Sequence, residues 1–276
     1  MISSARLRRW LLLALLWGVA LLFLVPLLWM LSSSLKPTWQ IFETPPRWLP
    51  NPPRWENYSE ALTTLPFGRY LSNTTVITLL TIVGHLLSCT LVAYAFARLR
   101  APGRDTLFVV MLATLMLPYP VTMTPLYVIF HRLGWINTFL PLTVPAFLGS
   151  PFYIFLLRQF FLTIPRDFED AARIDGANTL QILAWVLVPM VAPALATVTL
   201  FTFQASWNDF LAPLIYLQRP DLYTVTLGLQ FFRSTYTTNW AYLMAASLTT
   251  MLPVIAVFFA AQRYFLAGIS LAGIKG

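Results

Sequence analysis

Residues 165–177 read Pro165-Arg166-Asp167-Phe168-Glu169-Asp170-Ala171-Ala172-Arg173-Ile174-Asp175-Gly176-Ala177 and form the one acidic cluster of the 276-residue chain. Long uncharged stretches lie on both sides of this cluster, at 133–157 and at 176–208. Each stretch exceeds the roughly 20 residues that an α-helix needs to cross the hydrocarbon core of a bilayer. A charged segment between two such stretches indicates a loop outside the membrane that connects two spans.

The whole chain repeats this pattern of long uncharged stretches and short charged gaps. It is 58% hydrophobic and only 10% charged, whereas a soluble domain has roughly a quarter of its residues charged. The pattern predicts an all-α, polytopic membrane protein in which residues 1–276 form a single transmembrane domain. The six predicted spans are 10–33, 71–97, 106–130, 136–160, 182–207 and 238–262, which leave a cytoplasmic loop at 158–181 and outer loops at 36–69 and 209–236.

The basic residues predict the orientation of the spans. Arg6, Arg8 and Arg9 precede a first uncharged stretch, 10–35, which is longer than the roughly 7–15-residue core of a secretory signal and therefore predicts a retained helix. Assigning alternate loops to opposite sides places eleven of the eighteen Lys and Arg residues on one side. By the positive-inside rule that side is cytoplasmic, so both termini are predicted to be cytoplasmic. The outer segment 36–69 is rich in Pro and Trp and predicts an extended strap at the membrane surface.

Few residues are available for catalysis or for binding a metal. The chain has one cysteine, Cys89, and two histidines, His85 and His131, too few for a disulfide framework or a Cys/His structural zinc site. It contains neither H-E-x-x-H nor G-x-S-x-G, which argues against an intramembrane enzyme. The uncharged stretches hold no Asp, Glu, Lys or Arg, which argues against an ion-coupled transporter or a charged channel filter. The basic residues lie between the spans, which indicates a lipid bilayer and not nucleic acid as their partner.

Two spans carry a stripe of mild polarity. In the second span the stripe residues are spaced four, three, four and three apart, which places them on one side of a helix. Such a stripe either forms hydrogen bonds between helices of the bundle or lines a substrate path, and His85 is interpreted as a satisfied buried imidazole. The stripe residues are Thr74, Thr78, Thr81, His85 and Ser88 in the second span, and Thr199, Thr202 and Ser206 in the fifth.

Three prolines interrupt the third span, at Pro118, Pro120 and Pro125. Each proline removes a backbone donor and bends a helix, and broken backbone at membrane depth is tolerated only where protein or water covers it. The sequence therefore predicts a kink, either in a gating helix or in a purely structural one.

The acidic cluster predicts a short helix outside the bilayer. Pro165 suits its first position, the acidic residues lie near its N-terminus, and Gly176 is suited to a left-handed cap. Glu169 and Arg173 have the spacing of a helix ion pair. The helix combines acidic groups with a small apolar face, which predicts a docking site for a basic, closely packed partner. The residues of the apolar face are Phe168, Ala171 and Ala172.

The same residues resemble a known family. Asp170-Ala171-Ala172, then Gly176 and Val186-Leu187-Val188-Pro189, resemble the EAA loop of the membrane subunits of binding-protein-dependent ABC importers, in which the pattern is E-A-A, three residues, G, nine residues and I-x-L-P. Asp170 stands where the family has Glu, and Glu169 precedes it, so the carboxylate that meets the partner stays open between the two. Residues 205–215 resemble the W-N-x-F-x-x-P-L segment of carbohydrate permeases, and residues 262–276 resemble the tail of MalG-type subunits. Leu35-Lys36-Pro37 and Glu56-Asn57-Tyr58 match the first-loop pattern of that group.

The resemblance to the MalG-type, carbohydrate-uptake permeases implies an ABC type I importer fold in the inner membrane of a bacterial or archaeal cell. It implies a second, MalF-like permease subunit, two ATPase subunits that bind ATP and Mg²⁺, and an external solute-binding protein that meets the loop 209–236. This chain is expected to hold no cofactor, because it lacks G-x-x-x-x-G-K-[ST]. The resemblance implies that the ATPase contacts are Phe168, Glu169, Asp170, Ala171, Ala172, Asp175, Gly176 and Pro189, with Gly273 and Lys275 in the tail.

The alternative from another class is a self-sufficient channel or facilitator, in which 166–176 is only a surface helix. The solute is expected to be a neutral sugar, because no basic residue lies within the spans to hold an anion. The residues predicted to line its path are Thr78, Thr81, His85, Ser88, Thr202, Ser206, Trp207 and Asn208.

Overall fold

The computed structural model describes residues 4–233 and 239–272, and at 4–7, 261 and 263–272 it describes the backbone alone. The tail residues Gly273 and Lys275 lie outside the described residues. Each described element of secondary structure is a helix, which confirms the all-α prediction. The chain separates into two compact units, which comprise Met1–Phe67 with Gly228–Leu252, and Gly68–Leu227 with Pro253–Gly276.

The first unit begins with a long apolar helix and continues into short helices. The helix α1 has 31 residues and includes Pro26, and its stretch Arg8–Ser34 is long and apolar enough to cross a membrane. The segment 36–69 was predicted as an extended strap, and this prediction is only partly right, because two short helices form there and a third begins at Phe67. The helices of this part are α1 (Ser4–Ser34), α2 (Thr38–Ile41) and α3 (Glu56–Thr64).

Side chains satisfy the backbone of this segment and explain why it is folded. Asn57 is buried and donates hydrogen bonds from Nδ2 to the carbonyl oxygens of Ser34 and Lys36, at 2.8 and 2.9 Å. Gln40 is also buried, and its amide exchanges two hydrogen bonds of 3.2 Å with the backbone of Asn51. Buried polar groups need such partners, and these partners hold the segment in a defined path.

The second unit contains the helices within Gly68–Leu227 and the part of the last helix that begins at Pro253. Short 3₁₀ turns at Thr114–Met116, Val144–Leu148 and Pro220–Leu222 connect some of them, and Ile182–Leu187 is a π-helix. The α-helices that follow α3 are α4 (Phe67–Arg98), α5 (Arg104–Ala113), α6 (Tyr119–Arg132), α7 (Leu140–Thr143), α8 (Pro151–Thr163), α9 (Asp167–Ile174), α10 (Thr179–Gln181), α11 (Val188–Met190), α12 (Ala192–Trp207), α13 (Leu211–Tyr216), α14 (Val225–Gln230) and α15 (Trp240–Ala272).

The core of the second unit lies where α4, α8, the π-helix and α12 pack together. Small residues on α4, among them Cys89 and Ala93, are wholly buried against larger apolar ones such as Leu157 and Phe161 on α8. Gly84 allows a similarly close approach farther along α4, since a Cβ there would lie 2.9 Å from the Phe147 ring. This packing brings the polar stripes of α4 and α12 towards each other.

Among the described residues, four helical stretches are long and apolar enough to cross a membrane, and two further pairs of helices are bent. If each bent pair is counted as one span, the total is six, which is the predicted number. The third span is bent by 100° between α5 and α6, at Pro118, so the predicted kink is a complete break. No break was predicted for the fifth span, 182–207, but its two halves meet at 80° around Val191. Pro189 and Pro193 lie on either side of this break, and each removes a backbone donor that a continuous helix requires.

Candidate coupling helix and polar cavity

The helix α9 forms as the sequence predicts, with a later start. Its three acidic residues lie in the first turn and Arg173 in the last, where each charge is favourable in the field of the helix dipole. Arg166 is the N-cap, so Pro165 precedes the helix and does not occupy its first position.

The predicted left-handed cap at Gly176 is confirmed, with φ +86°. The Gly176 N–H donates to the Arg173 carbonyl at 3.0 Å, and the Ala177 N–H donates to the Ala172 carbonyl at 2.9 Å. These two bonds are the Schellman arrangement, which ends a helix sharply and favours glycine at this position.

Glu169 is buried and anchors α9 to the body of the second unit. Its carboxylate accepts a hydrogen bond from the Arg173 guanidinium at 3.3 Å, as predicted from the spacing, and lies 3.0 Å from Arg98 Nε. Arg98, at the end of α4, also donates hydrogen bonds of 2.5 Å to the carbonyl oxygens of Phe161 and Ile164. The partner Arg98 was missed, although its place in the short basic loop 98–105 put it on the same predicted side of the membrane as the acidic cluster.

The outward side of α9 presents acidic and apolar residues together, which we call the coupling surface. Asp170 is exposed, and one of its carboxylate oxygens lies 2.8 Å from the Arg173 guanidinium. Ala172 packs against the core, so the predicted apolar face is divided. Ile174 is 87% exposed and was not predicted to belong to this surface. Its residues are Phe168, Asp170, Ala171, Ile174 and Asp175.

Pro189 does not lie on α9. It is an exposed residue of α11, beside the break in the fifth span. Its position suits a residue that shapes the backbone.

A partly open cavity of about 190 Å³, lined by both polar and apolar residues, lies in the second unit between α4 and α12. Four of the residues predicted to line a solute path border it: Thr81, His85, Thr202 and Ser206. Their hydroxyl and imidazole groups can exchange hydrogen bonds with a solute or with water. The described lining residues are Thr74, Ile77, Thr81, His85, Leu142, Tyr153, Thr202, Ala205, Ser206, Asp209, Pro213 and Thr224.

Hydrogen bonds across the cavity wall connect α4 with α12. His85 Nδ1 lies 3.3 Å from Thr202 Oγ1, and Thr78 Oγ1 lies 3.2 Å from Ser206 Oγ. The Tyr153 ring meets the His85 ring edge to face, with the ring centroids 5.0 Å apart. His85, Thr202 and Ser206 therefore join the two helices and also line the cavity, whereas Thr78 takes part in the helix contact and is not among the lining residues. That this cavity is a solute path stays a prediction.

The other predicted path residues lie elsewhere. Ser88 donates to the carbonyl oxygens of Gly84 and Ala146 at 2.8 and 2.9 Å. Trp207 is buried and stacks on Phe203 with 5.2 Å between the ring centroids. Asn208 is exposed and donates from Nδ2 to the carbonyl of Gln204. These three side chains make their contacts away from the cavity, because the helical turn directs neighbouring residues to different sides.

Asp209 borders the cavity and was not predicted as a site residue. Its carboxylate accepts a hydrogen bond from the Ala212 N–H at 3.2 Å. Burial raises the pKa of Asp209, and hydrogen bonds from the backbone N–H groups of Ala212 and Leu211 oppose that rise. The available signal was its position as the first charge after the uncharged stretch 176–208.

Comparisons with known proteins agree with this arrangement. NgcG of Streptomyces coelicolor, a permease protein of a diacetylchitobiose uptake system, is 35% identical over 262 residues, which cover 94% of this chain and 85% of that protein. AraQ of Bacillus subtilis, a permease protein of an arabinooligosaccharide transport system, is 32% identical, and the match covers 94% of this chain and 92% of that protein. A chain of a bacterial ABC transporter involved in the import of the acidic polysaccharide alginate has a TM-score of 0.84 at 26% identity, and the match covers 96% of this chain and 99% of that one.

A family model extends the agreement over most of the helical bundle. The model for inner membrane components of binding-protein-dependent transport systems matches residues 89–270, more than half of the chain. The match includes the acidic helix α9, the break in the fifth span and the cavity residues of α12. This chain is therefore a multi-pass membrane protein that belongs to the family of binding-protein-dependent transport system inner membrane components, the permease subunits of ABC importers.

Proposed function

We propose that this chain is a permease subunit of an ATP-driven importer that carries a sugar or sugar-like solute into the cell. The observation that carries the proposal is the anchored helix α9, whose buried Glu169 leaves Asp170 and its neighbours free to meet another protein. The names of the relatives, which refer to diacetylchitobiose and arabinooligosaccharides, support a sugar as the solute.

The coupling surface is the proposed docking site of a separate ATPase subunit, present in two copies and binding ATP with Mg²⁺. Asp170 is the proposed acidic contact, because Glu169 is already held by two arginines inside this chain. Phe168 and Ile174 supply the exposed apolar area that an interface core requires. The tail residues Gly273 and Lys275 are proposed as further ATPase contacts.

A movement of the ATPase would be transmitted to the membrane-spanning helices through Arg98. This residue connects α9 to α4 and to the end of α8 at once, so a displacement of α9 moves both helices as a body. Rigid-body rotation of packed helices is a common way of switching access between two sides. ATP favours one orientation only by binding it more tightly than the other.

The remaining partners complete the importer. A second permease subunit forms the passage together with this chain, and an external binding protein delivers the solute to the outer loop 209–236. Both termini are proposed to be cytoplasmic, in the inner membrane of a bacterium or archaeon. A neutral solute is favoured, because no Lys or Arg is among the described residues that line the cavity.

The test is co-purification of the tagged chain with the products of its neighbouring transport genes. Asp170→Lys reverses the charge of the proposed contact, and Glu56→Lys reverses another exposed acid, on α3 in the outer segment. We expect the ATPase subunit to be retained by the parent chain and by Glu56→Lys, and to be lost from Asp170→Lys.

Equal retention by Asp170→Lys would contradict the docking assignment. Solute flux through this chain in vesicles without ATP would instead favour the facilitator, in which α9 has no coupling role.

A further inference from the structure

One formal charge borders a cavity that is otherwise lined by hydroxyl, imidazole and apolar groups. Asp209 is the only acid among the described lining residues, and no Lys or Arg accompanies it. His85 supplies the one imidazole among the described lining residues, and it contacts Thr202. The electrostatic character of the cavity therefore depends on Asp209.

The local structure fixes this carboxylate in place. The helix α12 ends at Trp207, and α13 begins at Leu211. Between them the Asp209 carboxylate accepts the Ala212 N–H, while its own carbonyl oxygen accepts the Thr226 hydroxyl at 2.6 Å. Burial raises the pKa of Asp209, and the hydrogen bonds from backbone N–H groups oppose that rise by favouring the ionised carboxylate.

A purely structural role would be to cap the short helix α13. Asn caps a helix as well as Asp does, so capping requires the shape of this side chain and not its charge. Replacement by Asn therefore separates the two roles, because it keeps the cap and removes the charge.

The size of the cavity limits what can occupy it. Its volume is about 190 Å³. That is smaller than the roughly 300–1,000 Å³ of a pocket for a drug-sized ligand. It suits one ring-sized hydroxylated unit, whose hydroxyl groups would match those of Thr81, Thr202 and Ser206.

We propose that Asp209 makes this cavity a charge-selective subsite, which admits neutral or cationic hydroxylated groups of about one sugar unit and rejects anionic ones. The proposal rests on the proposed function, since it assigns the cavity to the solute path. A fixed carboxylate in a cavity with low-dielectric walls concentrates its field there, and that field repels a carboxylated or sulfonated solute.

The test uses two thiol reagents of similar size and opposite charge, the cationic MTSET and the anionic MTSES. Ser206→Cys places a thiol in the cavity, in a Cys89→Ser background within the full importer in membrane vesicles. The rate at which each reagent modifies the introduced thiol is divided by the rate at which the same reagent reacts with free 2-mercaptoethanol. We expect the normalised MTSET rate to exceed the MTSES rate by about tenfold, and Asp209→Asn to reduce that ratio to about one.

Two further variants control the comparison. Asp209→Glu keeps the charge and should keep the ratio above one. Ser59→Cys, on an exposed turn of α3, should give a ratio that Asp209→Asn does not change.

Several outcomes would overturn the proposal. These are a normalised ratio of one in the parent Ser206→Cys chain, no reaction with either reagent, or a ratio that Asp209→Asn leaves unchanged. If the Asp209→Asn chain fails to assemble into the importer, the ratio of the normalised MTSET and MTSES rates in the parent Ser206→Cys chain and in Asp209→Glu still tests the proposal. A ratio of one in either chain would overturn it. The labelling needs no transport, so loss of ATP-driven uptake or of ATPase binding tests the proposed function separately.

Discussion

Arg98 Nε lies 3.0 Å from Glu169 Oε1, and only 4% and 5% of the two side chains are exposed. The contact joins the last residue of α4 to the third residue of α9, two helices that are 71 positions apart in the chain at this point. Taking two charges out of water is unfavourable unless each finds the other and further hydrogen bonds. Arg98 meets this condition through two carbonyl oxygens, and Glu169 meets it through Arg173.

Removing one member of this pair should destabilise the protein strongly. Glu169→Gln leaves the Arg98 guanidinium buried without its counter-charge, at a cost of about 3–5 kcal/mol in the free energy of unfolding. Thermal unfolding in detergent measures the effect. Asp170→Asn is the matched control, since it changes an exposed acid on the same helix and should shift the melting temperature little. Equal melting temperatures for Glu169→Gln and the parent would show that the buried pair does not hold α9.

Substitution of Gly176 should disturb the end of the coupling helix through its backbone. Ala at φ +86° is strained by about 1–2 kcal/mol, whereas its Cβ would meet no atom within 4 Å. We expect Gly176→Ala to weaken ATPase binding in the co-purification assay. Gly176→Asn should weaken it less, because Asn tolerates the left-handed conformation better. The reverse order would indicate that the side chain at 176 meets the partner directly.

The hydrogen bond between His85 and Thr202 should matter for solute transport. Thr202→Val keeps the shape and removes the hydroxyl, which leaves His85 without this contact at a cost of about 1 kcal/mol. We expect a several-fold higher KM for solute uptake in vesicles. Ser88→Ala removes a hydroxyl from the same face of α4 that bonds to carbonyl oxygens outside the cavity, and its KM should stay unchanged. A similar change in both variants would assign the effect to helix packing.

Lys36 should make stability depend on pH in the alkaline range. Its side chain is wholly buried, donates to the Arg47 carbonyl at 2.6 Å and lies 4.1 Å above the Trp29 ring. Burial lowers the pKa of Lys36 from 10.5. The folded protein therefore binds the proton less tightly than the unfolded chain does, so stability rises as the pH increases from the lowered pKa towards 10.5.

The melting temperatures of the parent and Lys36→Met, compared between pH 8 and about pH 10.5, measure this contribution. The parent should gain stability relative to Lys36→Met over this range. Parallel curves for the two proteins would contradict the assignment. Lys36→Arg keeps its charge throughout and should show no relative gain.

Much of the fold was predictable, because the properties that decide it are local. A span requires about 20 apolar residues in succession, and such stretches are visible at 10–35 and 70–97. The left-handed cap at Gly176 and the ion pair of Glu169 with Arg173 also depend on neighbours within one or two helical turns. Their prediction needed only the helical repeat.

Other features arise from contacts that the order of residues does not reveal. The break at Val191 was missed, because prolines in a membrane span are compatible with either a kinked or a continuous path until neighbouring helices satisfy the freed carbonyl groups. Ser88 has the spacing of a path residue, yet it bonds to Ala146. Asp209 reaches the cavity only because α12 ends two residues before it and the chain then turns into α13.

Hydrophobicity and helical spacing along the chain thus predict a polytopic helical protein with a short acidic helix between two spans, and the structure contains that helix. The tertiary structure decides which charge of that helix is exposed. Glu169 and Asp170 are adjacent and chemically alike, and they differ because Arg98 lies within 3.0 Å of one while the other faces outward. A buried charge is stable only beside its partner, and that partner is brought there by the packing of α4 against α8 and α9.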